Sequence, residues 1–123
     1  ELLRRYNVPV YDLDSDGYIA ELIPVWIEGG FNCCNPVEVA AGNDLVCYRR
    51  TYGHALAYHG GIDKRAIAAG GEAMRAELDR VVTPMLAEGG GFIPSCDHGV
   101  PPDISWPAFV DYARELAARL GWL

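Results

Sequence analysis

The spacing of hydrophobic residues changes from strand-like to helix-like four times along the chain. Short apolar runs at residues 8–13, 31–37, 55–59 and 91–95 predict strands. Each run is followed by a polar or glycine-rich segment and then by apolar residues spaced three and four apart, which is typical of an amphipathic helix. The pattern therefore predicts four consecutive units of one strand and one or more helices.

The predicted helices have recognisable ends. Side chains that accept a hydrogen bond from a first helical turn precede three of them: Asn43 or Asp44, Asp63 and Ser105. A longer helix is predicted at residues 72–88, and residues 1–6 are predicted to be the end of an earlier helix. Glycines after the apolar periodic segments are expected to terminate them.

Strands that alternate with helices at this spacing predict a single α/β domain, residues 1–123, with a parallel sheet and right-handed connections. The helices either all lie outside the sheet, as in half of a TIM-type (β/α)8 barrel, or cover both of its faces, as in a compact flavodoxin-like sandwich. The length suits one domain, and half of the residues are hydrophobic. In both folds ligands bind at the carboxyl ends of the strands.

Residues with catalytic potential follow each predicted strand. At the end of the first strand, Asp12, Asp14 and Asp16 alternate, so an extended backbone would present them on one side. The spacing resembles an EF-hand loop, but the twelfth position of that loop would be Ile23 instead of glutamate. The predicted catalytic residues of the strand ends are Asp14, Asp16, Glu38 and His98, and the alternative is that they are solvated turn residues.

A second candidate group surrounds the end of the third strand. Gly60 and Gly61 would bring backbone N–H groups close to a ligand, and Lys64 and Arg65 could hold carboxylates or phosphate. The predicted substrate-binding residues are Gly60, Gly61, Asp63, Lys64 and Arg65. Glycines for a tight turn and a solvated helix start explain the same residues equally well. His59 points either into a barrel core or into the pocket, and we favour the barrel core.

Composition excludes several classes of protein. A net charge of −7 argues against nucleic-acid binding, and no apolar run approaches the length of a membrane span. The four cysteines form no C-x-x-C pair, so neither a zinc knuckle nor a redox motif is indicated. We expect buried free thiols in the reducing cytoplasm.

Taken together, the four strand-end motifs resemble the uroporphyrinogen decarboxylase superfamily, which includes the cobalamin-dependent methyltransferases and has a (β/α)8 barrel fold. The matching stretches are DSDG at 14–17, PVEVAAG at 36–42, GGIDKR at 60–65 and DHGVPPDIS at 97–105. The resemblance covers nearly the whole chain but only the carboxyl-terminal half of the barrel. It implies an enzyme that decarboxylates a tetrapyrrole or transfers a methyl group to or from a corrinoid. It also implies that a second half-barrel is needed, either a homodimer partner or another chain.

The resemblance also implies a metal site. His98 falls where the decarboxylases have a histidine near the substrate and the zinc methyltransferases have a cysteine ligand, while Asp14 and Asp16 fall on the H-x-C ligand pair of the latter. Two carboxylates and an imidazole are a ligand set for Zn²⁺, Fe²⁺ or Mn²⁺.

The alternative to an enzyme is a non-catalytic α/β module that binds a metal or a small acid. A receiver-like signalling domain is less favoured, because Asp63 and Lys64 are neighbours here, whereas receivers keep the corresponding residues on different loops.

Overall fold

The computed structural model describes residues 2–123 and shows an α/β fold with a four-stranded, all-parallel sheet. The strands are β1 (Asp12–Asp14), β2 (Cys33–Asn35), β3 (Ala57–Ile62) and β4 (Phe92–Cys96), and they lie side by side in the order β1-β2-β3-β4. The helices are α1 (Leu2–Arg5), α2 (Ile23–Gly29), α3 (Leu45–Tyr52), α4 (Lys64–Ala69), α5 (Gly71–Ala87) and α6 (Trp106–Arg119), with a 3-10 turn at Val39–Ala41. The predicted alternation of strands and helices is confirmed.

Strand boundaries differ from the prediction, most clearly in β3. This strand was expected to end at residue 59, with Gly60 and Gly61 in a loop, but it continues to Ile62. Both glycines pair with β4, opposite Pro94 and Ser95. Pairing with a neighbouring strand therefore overrides the low strand preference of glycine. β1 is shorter than predicted and consists of three residues that pair with β2.

The two faces of the sheet differ in burial. On one face, strand side chains pack into the core beneath the helices: Cys34, Tyr58, Ile62 and Cys96. Helix α5 supplies five more buried side chains at helical spacing: Met74, Leu78, Val81, Val82 and Met85. On the opposite face, Cys33 and Gly61 are buried, but most strand residues are half-buried or exposed: Asp12, Asp14, Asn35, His59 and Ile93, the last of which is 56% exposed. We call this second side the open face.

Arg49 anchors the end of the sheet at which the strands begin. Its side chain is buried and donates hydrogen bonds to the carbonyl oxygens of Gly90 and Gly91, at 3.0 and 2.7 Å. The guanidinium also lies over the ring of Tyr58, 5.6 Å from its centroid. Within residues 2–123 no carboxylate pairs with it, so carbonyl dipoles and the aromatic ring compensate its charge.

The cysteines are unpaired thiols, but the prediction that they are buried is wrong for Cys47, which lies on the exposed side of α3. Cys33, Cys34 and Cys96 are buried, and Cys47 is exposed. Burial raises the pKa of the Cys34 thiol to about 12, so it stays protonated at neutral pH. Among the helices of residues 2–123, none has the length and apolar character needed to cross a membrane.

Candidate functional site

All four strands contribute to one cavity at their carboxyl ends. The cavity has a volume of about 310 Å³ and opens on the open face of the sheet. The residues that line it are Asp14, Asp16, Asn35, Pro36, His59, Ser95, Cys96, His98 and Gly99. Three of the four predicted catalytic residues, Asp14, Asp16 and His98, are therefore brought together, although they are far apart in sequence. Parallel strands meet at one edge, and this edge is where α/β folds bind ligands.

Asp16 and His98 form the closest pair of ionisable groups in the cavity. Nε2 of His98 lies 3.5 Å from Oδ1 of Asp16, and Nδ1 accepts a hydrogen bond from the N–H of Gly99 at 2.9 Å. Because Nδ1 is an acceptor, the proton of the neutral ring resides on Nε2, the nitrogen that faces Asp16. The pair is accessible to solvent, since the two side chains are 68% and 47% exposed.

The donor atoms of the predicted metal set suit a divalent cation, but in this structure the three side chains are not grouped around one point. Within residues 2–123, no three histidine, cysteine, aspartate or glutamate side chains are grouped so that they could hold a metal ion. A ligating imidazole must present a lone pair, and Nε2 of His98 carries the proton instead. Metal binding by Asp14, Asp16 and His98 stays a prediction.

Glu38, the fourth predicted catalytic residue, lies beside the cavity without lining it. Its Oε1 is 2.8 Å from Nζ of Lys64, and its Oε2 accepts a hydrogen bond from the N–H of Gly17 at 3.3 Å. The hydrogen bond from Lys64 holds the pKa of the Glu38 carboxyl below its ordinary value, and the same contact raises the pKa of Lys64. Glu38 thus connects the segments that follow β1, β2 and β3.

Asp97 is a structural residue of the site that sequence reasoning missed. It is fully buried, and its two carboxylate oxygens accept hydrogen bonds from the N–H groups of Val39 and Lys64, at 2.8 and 3.0 Å. Burial raises the pKa of Asp97, while the two N–H donors act in the opposite direction. The carboxylate fixes the segment after β4, which carries His98, to the 3-10 turn and to the start of α4. The only feature of the sequence that could have indicated this role is the position of Asp97 between the end of β4 and His98.

Asn43 provides a second connection between strand ends. Its side-chain amide donates to the carbonyl oxygens of Gly17 and Glu38, at 2.8 and 2.7 Å. Its side-chain oxygen accepts hydrogen bonds from the Ile19 N–H and the Tyr48 hydroxyl. The first turn of α3 is capped by Asp44, the other candidate, whose side chain accepts the N–H of Cys47.

Gly60 and Gly61 are needed for a close approach of backbone to backbone. A Cβ at Gly60 would lie 2.0 Å from the carbonyl oxygen of Pro36, and the φ angle of Gly60 is +107°. The N–H of Gly61 donates to the same oxygen at 2.9 Å. Neither glycine lines the cavity. Their role in substrate binding stays a prediction, and the structure shows a packing role.

Asp63 and Arg65 likewise have partners within the protein. The Asp63 side chain accepts the N–H of Arg65 at 2.8 Å, which caps α4, and pairs with the Arg65 guanidinium at 2.7 Å. That guanidinium holds the pKa of the Asp63 carboxyl below its ordinary value. With Lys64 paired to Glu38, the predicted substrate-binding set lies outside the cavity lining, and its binding role is a prediction that remains untested.

His59 lines the cavity, which was the alternative to the favoured place in a barrel core. The register of β3 explains its position: Tyr58 points into the core beneath the helices, so the next side chain lies on the open face. Within residues 2–123 the His59 ring forms no hydrogen bond, unlike the rings of His54 and His98, which each have a partner.

A scan against protein-family models and searches among curated proteins and solved structures find no match to this chain. The resemblance to the uroporphyrinogen decarboxylase superfamily therefore stays a prediction from sequence motifs. The cavity and its lining are the structural basis for any functional conclusion.

Proposed function

We propose that this chain is a uroporphyrinogen decarboxylase-like half-barrel and that its strand-end cavity forms part of an active site for methyl transfer to or from a corrinoid. The observation that carries the proposal is the convergence of Asp14, Asp16 and His98 on one cavity at the carboxyl ends of the strands. Active sites of (β/α)8 barrels occupy this end.

The burial of the sheet supports a half-barrel over a flavodoxin-like sandwich. Core side chains such as Tyr58 and Ile62 are covered by helices, whereas Asp14, His59 and Ile93 on the open face are half-buried or exposed. A sandwich would bury both faces under helices. In a barrel the open face would point inward, where further strands would cover it.

The open face also supports the need for a second half-barrel. The Asp16 and His98 side chains are too exposed for a reaction that requires water to be excluded. We propose that a second copy of this chain, or a partner half-barrel, covers the open face and completes the pocket. A single isolated chain would bind substrate weakly and catalyse the reaction slowly.

Charge favours methyl transfer over decarboxylation of a tetrapyrrole. Among the residues that the structure describes, the cavity lining includes Asp14 and Asp16 but no lysine or arginine. A tetrapyrrole with several carboxylates would be repelled by these acids unless cations compensated them. A small methylated molecule that is neutral or cationic meets no such repulsion.

The residues of the chain would bind and orient the methylated substrate. Asp16 lies 3.5 Å from Nε2 of His98 and the Gly99 N–H donates to Nδ1, so both contacts orient this imidazole at the cavity edge. A bound corrinoid would supply the cobalt that accepts or donates the methyl group.

The proposal is tested by incubating the purified chain with methylcobalamin or reduced cobalamin and with methylated amines, thioethers and alcohols, and by following the visible spectrum of the corrinoid. We expect slow methyl transfer whose rate increases with protein concentration as the chain associates. His98→Gln and Asp16→Asn should each reduce this rate by about tenfold or more. Asp103→Asn, which removes an exposed acid outside the cavity lining, is the matched control. Absence of both transfer and cobalamin binding at every concentration would refute the proposal.

A second candidate is a non-catalytic module that binds a divalent metal or a small acid. The 3.5 Å approach of Asp16 to His98, with Asp14 in the same cavity, is the observation that favours it. Metal binding would require the His98 ring to release Gly99 and turn Nε2 toward the ion. Calorimetric titration with Zn²⁺, Fe²⁺ and Mn²⁺ tests it: stoichiometric binding that His98→Gln abolishes, without any corrinoid reaction, would favour the module.

A further inference from the structure

We propose that the contact between His54 and Arg49 is an acid-sensitive clamp, which holds the starts of β3 and β4 together at neutral pH and opens when His54 takes up a proton. The clamp lies at the end of the sheet opposite the cavity, and the inference is independent of the proposed methyl transfer. Three observations carry it: the hydrogen bond between the two side chains, the burial of Arg49, and the absence, within residues 2–123, of a carboxylate paired with either side chain.

The partners of the Arg49 guanidinium show what the clamp holds. Its Nη2 donates to the carbonyl oxygens of Gly90 and Gly91, just before β4. The Gly91 oxygen also accepts the N–H of Tyr58, the second residue of β3, at 3.0 Å. Arg49 lies over the ring of the same tyrosine. One side chain of α3 therefore fastens the starts of two neighbouring strands to each other.

The hydrogen bond between His54 and Arg49 can have only one direction. A guanidinium keeps its charge at every pH at which proteins fold, and it only donates hydrogen bonds. Nη1 of Arg49 therefore donates and Nδ1 of His54 accepts. The His54 ring must then be neutral, with its proton on Nε2. Because the His54 side chain is exposed, a proton from the solvent can reach it.

Protonation of His54 would reverse this contact. A proton on Nδ1 would place two N–H donors opposite each other and would add a second positive charge beside the buried guanidinium. Carboxylates that could neutralise the two charges form no ion pair with Arg49 or His54 in the part of the chain that the structure describes. The protonated ring therefore leaves Arg49 for water, and Nη1 loses its acceptor.

The elements around the contact contribute no second group that titrates near neutral pH. Tyr52 belongs to α3 and Tyr58 to β3, and a phenol releases its proton only in alkaline solution. Burial raises the pKa of the Tyr58 hydroxyl further. Residues 89–91, which precede β4, are glycines and offer only backbone groups. His54 is therefore the group through which acid acts on the clamp.

The test is nuclear magnetic resonance of the full chain at about pH 7.5 and about pH 5.5, on either side of the range in which histidine takes up its proton. At the higher pH, the ring nitrogen signals of His54 should show the neutral tautomer with its proton on Nε2. At the lower pH, the hydrogen-exchange protection factor of the Tyr58 N–H should fall about tenfold, the effect of losing one hydrogen bond that involves a charged group. The Gly61 N–H, which donates to the Pro36 oxygen at the other end of β3, is the internal control and should change by less than about twofold.

Variants separate the proton from the hydrogen bond. His54→Gln keeps an acceptor for Arg49 but takes up no proton, so the protection factor of the Tyr58 N–H should be the same at both pH values. His54→Lys has a charge at both pH values and no acceptor, so protection should be as low at the higher pH as it is for the wild type in acid. His98→Gln, which replaces another exposed histidine, is the matched control and should keep the wild-type response.

Three results would overturn the inference. The first is a proton on Nδ1 of His54 at the higher pH, which would rule out the hydrogen bond from Arg49. The second is a Tyr58 protection factor that changes with pH no more than that of Gly61. The third is an acid response that persists in His54→Gln, which would assign it to another group. The first two results come from the wild type, so they decide the matter even if a variant does not fold.

Discussion

Nζ of Lys64 lies 2.8 Å from Oε1 of Glu38, and Lys64 is the only lysine of the chain. The two side chains come from the segments after β3 and β2, and Glu38 also accepts the N–H of Gly17 from the segment after β1. The ion pair therefore holds three strand ends beside the cavity. We expect it to contribute to the stability of the cavity wall without contacting the ligand.

Replacing Lys64 by methionine should lower the free energy of unfolding by about 1–2 kcal/mol, because it leaves the half-buried Glu38 carboxylate without its partner. Adding Glu38→Gln to Lys64→Met should cost less than the sum of the two single changes. Urea unfolding of the four proteins measures the coupling. Arg65→Met is the control, since the Arg65 side chain is 64% exposed, and its effect should be smaller. Strict additivity would show that the pair does not stabilise the fold.

The same pair should make stability depend on pH in acid. The pKa of Glu38 is lowered in the folded chain, so its contribution is present above the ordinary value of 4.5 and is lost as the pH falls through the folded pKa. The pKa of Lys64 is raised, so its contribution is lost only at alkaline pH, as the pH rises through the folded value. We expect the stability advantage of the wild type over Glu38→Gln to be constant near neutral pH and to shrink below 4.5. An advantage that grows in acid would contradict this sign.

Asp97→Asn should destabilise the fold more than any exposed acid substitution. Val39 and Lys64 donate to different oxygens of Asp97, and asparagine replaces one of these oxygens by an NH₂ group, which faces an N–H that it cannot accept. We expect a loss of about 2 kcal/mol in the free energy of unfolding. Asp103→Asn, in the same connection to α6, should stay within about 0.5 kcal/mol of wild type. Equal effects of the two changes would mean that the carboxylate of Asp97 is not needed.

Gly60→Ala should cost at least about 3 kcal/mol or prevent folding, because the new Cβ would overlap the Pro36 carbonyl oxygen and the backbone has a positive φ. Gly99→Ala is the matched control, since a Cβ there meets nothing within 4 Å and no positive φ is involved. Thermal unfolding of the two variants makes the comparison. A folded Gly60→Ala protein with wild-type stability would show that β3 can move away from Pro36.

Arg49→Met should cost about 3 kcal/mol, because it leaves the carbonyl oxygens of Gly90 and Gly91 without their buried charged donor. The neighbouring Arg50 is exposed, and Arg50→Met should change the free energy of unfolding by less than about 0.5 kcal/mol. Denaturant unfolding of the two variants provides the measurement. A small effect of Arg49→Met would indicate that water replaces the guanidinium at this position.

The order of strands and helices could be predicted from the sequence, because the spacing of buried residues differs between a strand and a helix and changes where one ends and the next begins. The caps at Asp63 and Ser105 are local hydrogen bonds, and both were predicted correctly. Convergence of Asp14, Asp16 and His98 was predictable because parallel strands end at one edge of a sheet.

Other features depend on contacts between distant segments, which a single sequence does not reveal. Asp44 caps α3 instead of Asn43, because the side chain of Asn43 is already hydrogen-bonded to Gly17 and Ile19. Gly60 was predicted in a loop because the contact that requires a glycine there is with Pro36, which follows β2 and is distant in sequence. The burial of Asp97 likewise follows from tertiary packing.

The sequential order of the strands has a consequence for how such a chain can grow. Each strand pairs only with its neighbours in the sequence, so β1 and β4 each keep one side without a partner strand among residues 2–123. A tandem duplication of the gene would add new units beside either of these strands and would leave every existing pairing in place. The sheet can therefore be extended by duplicated strand–helix units without rearranging the strands that are already present.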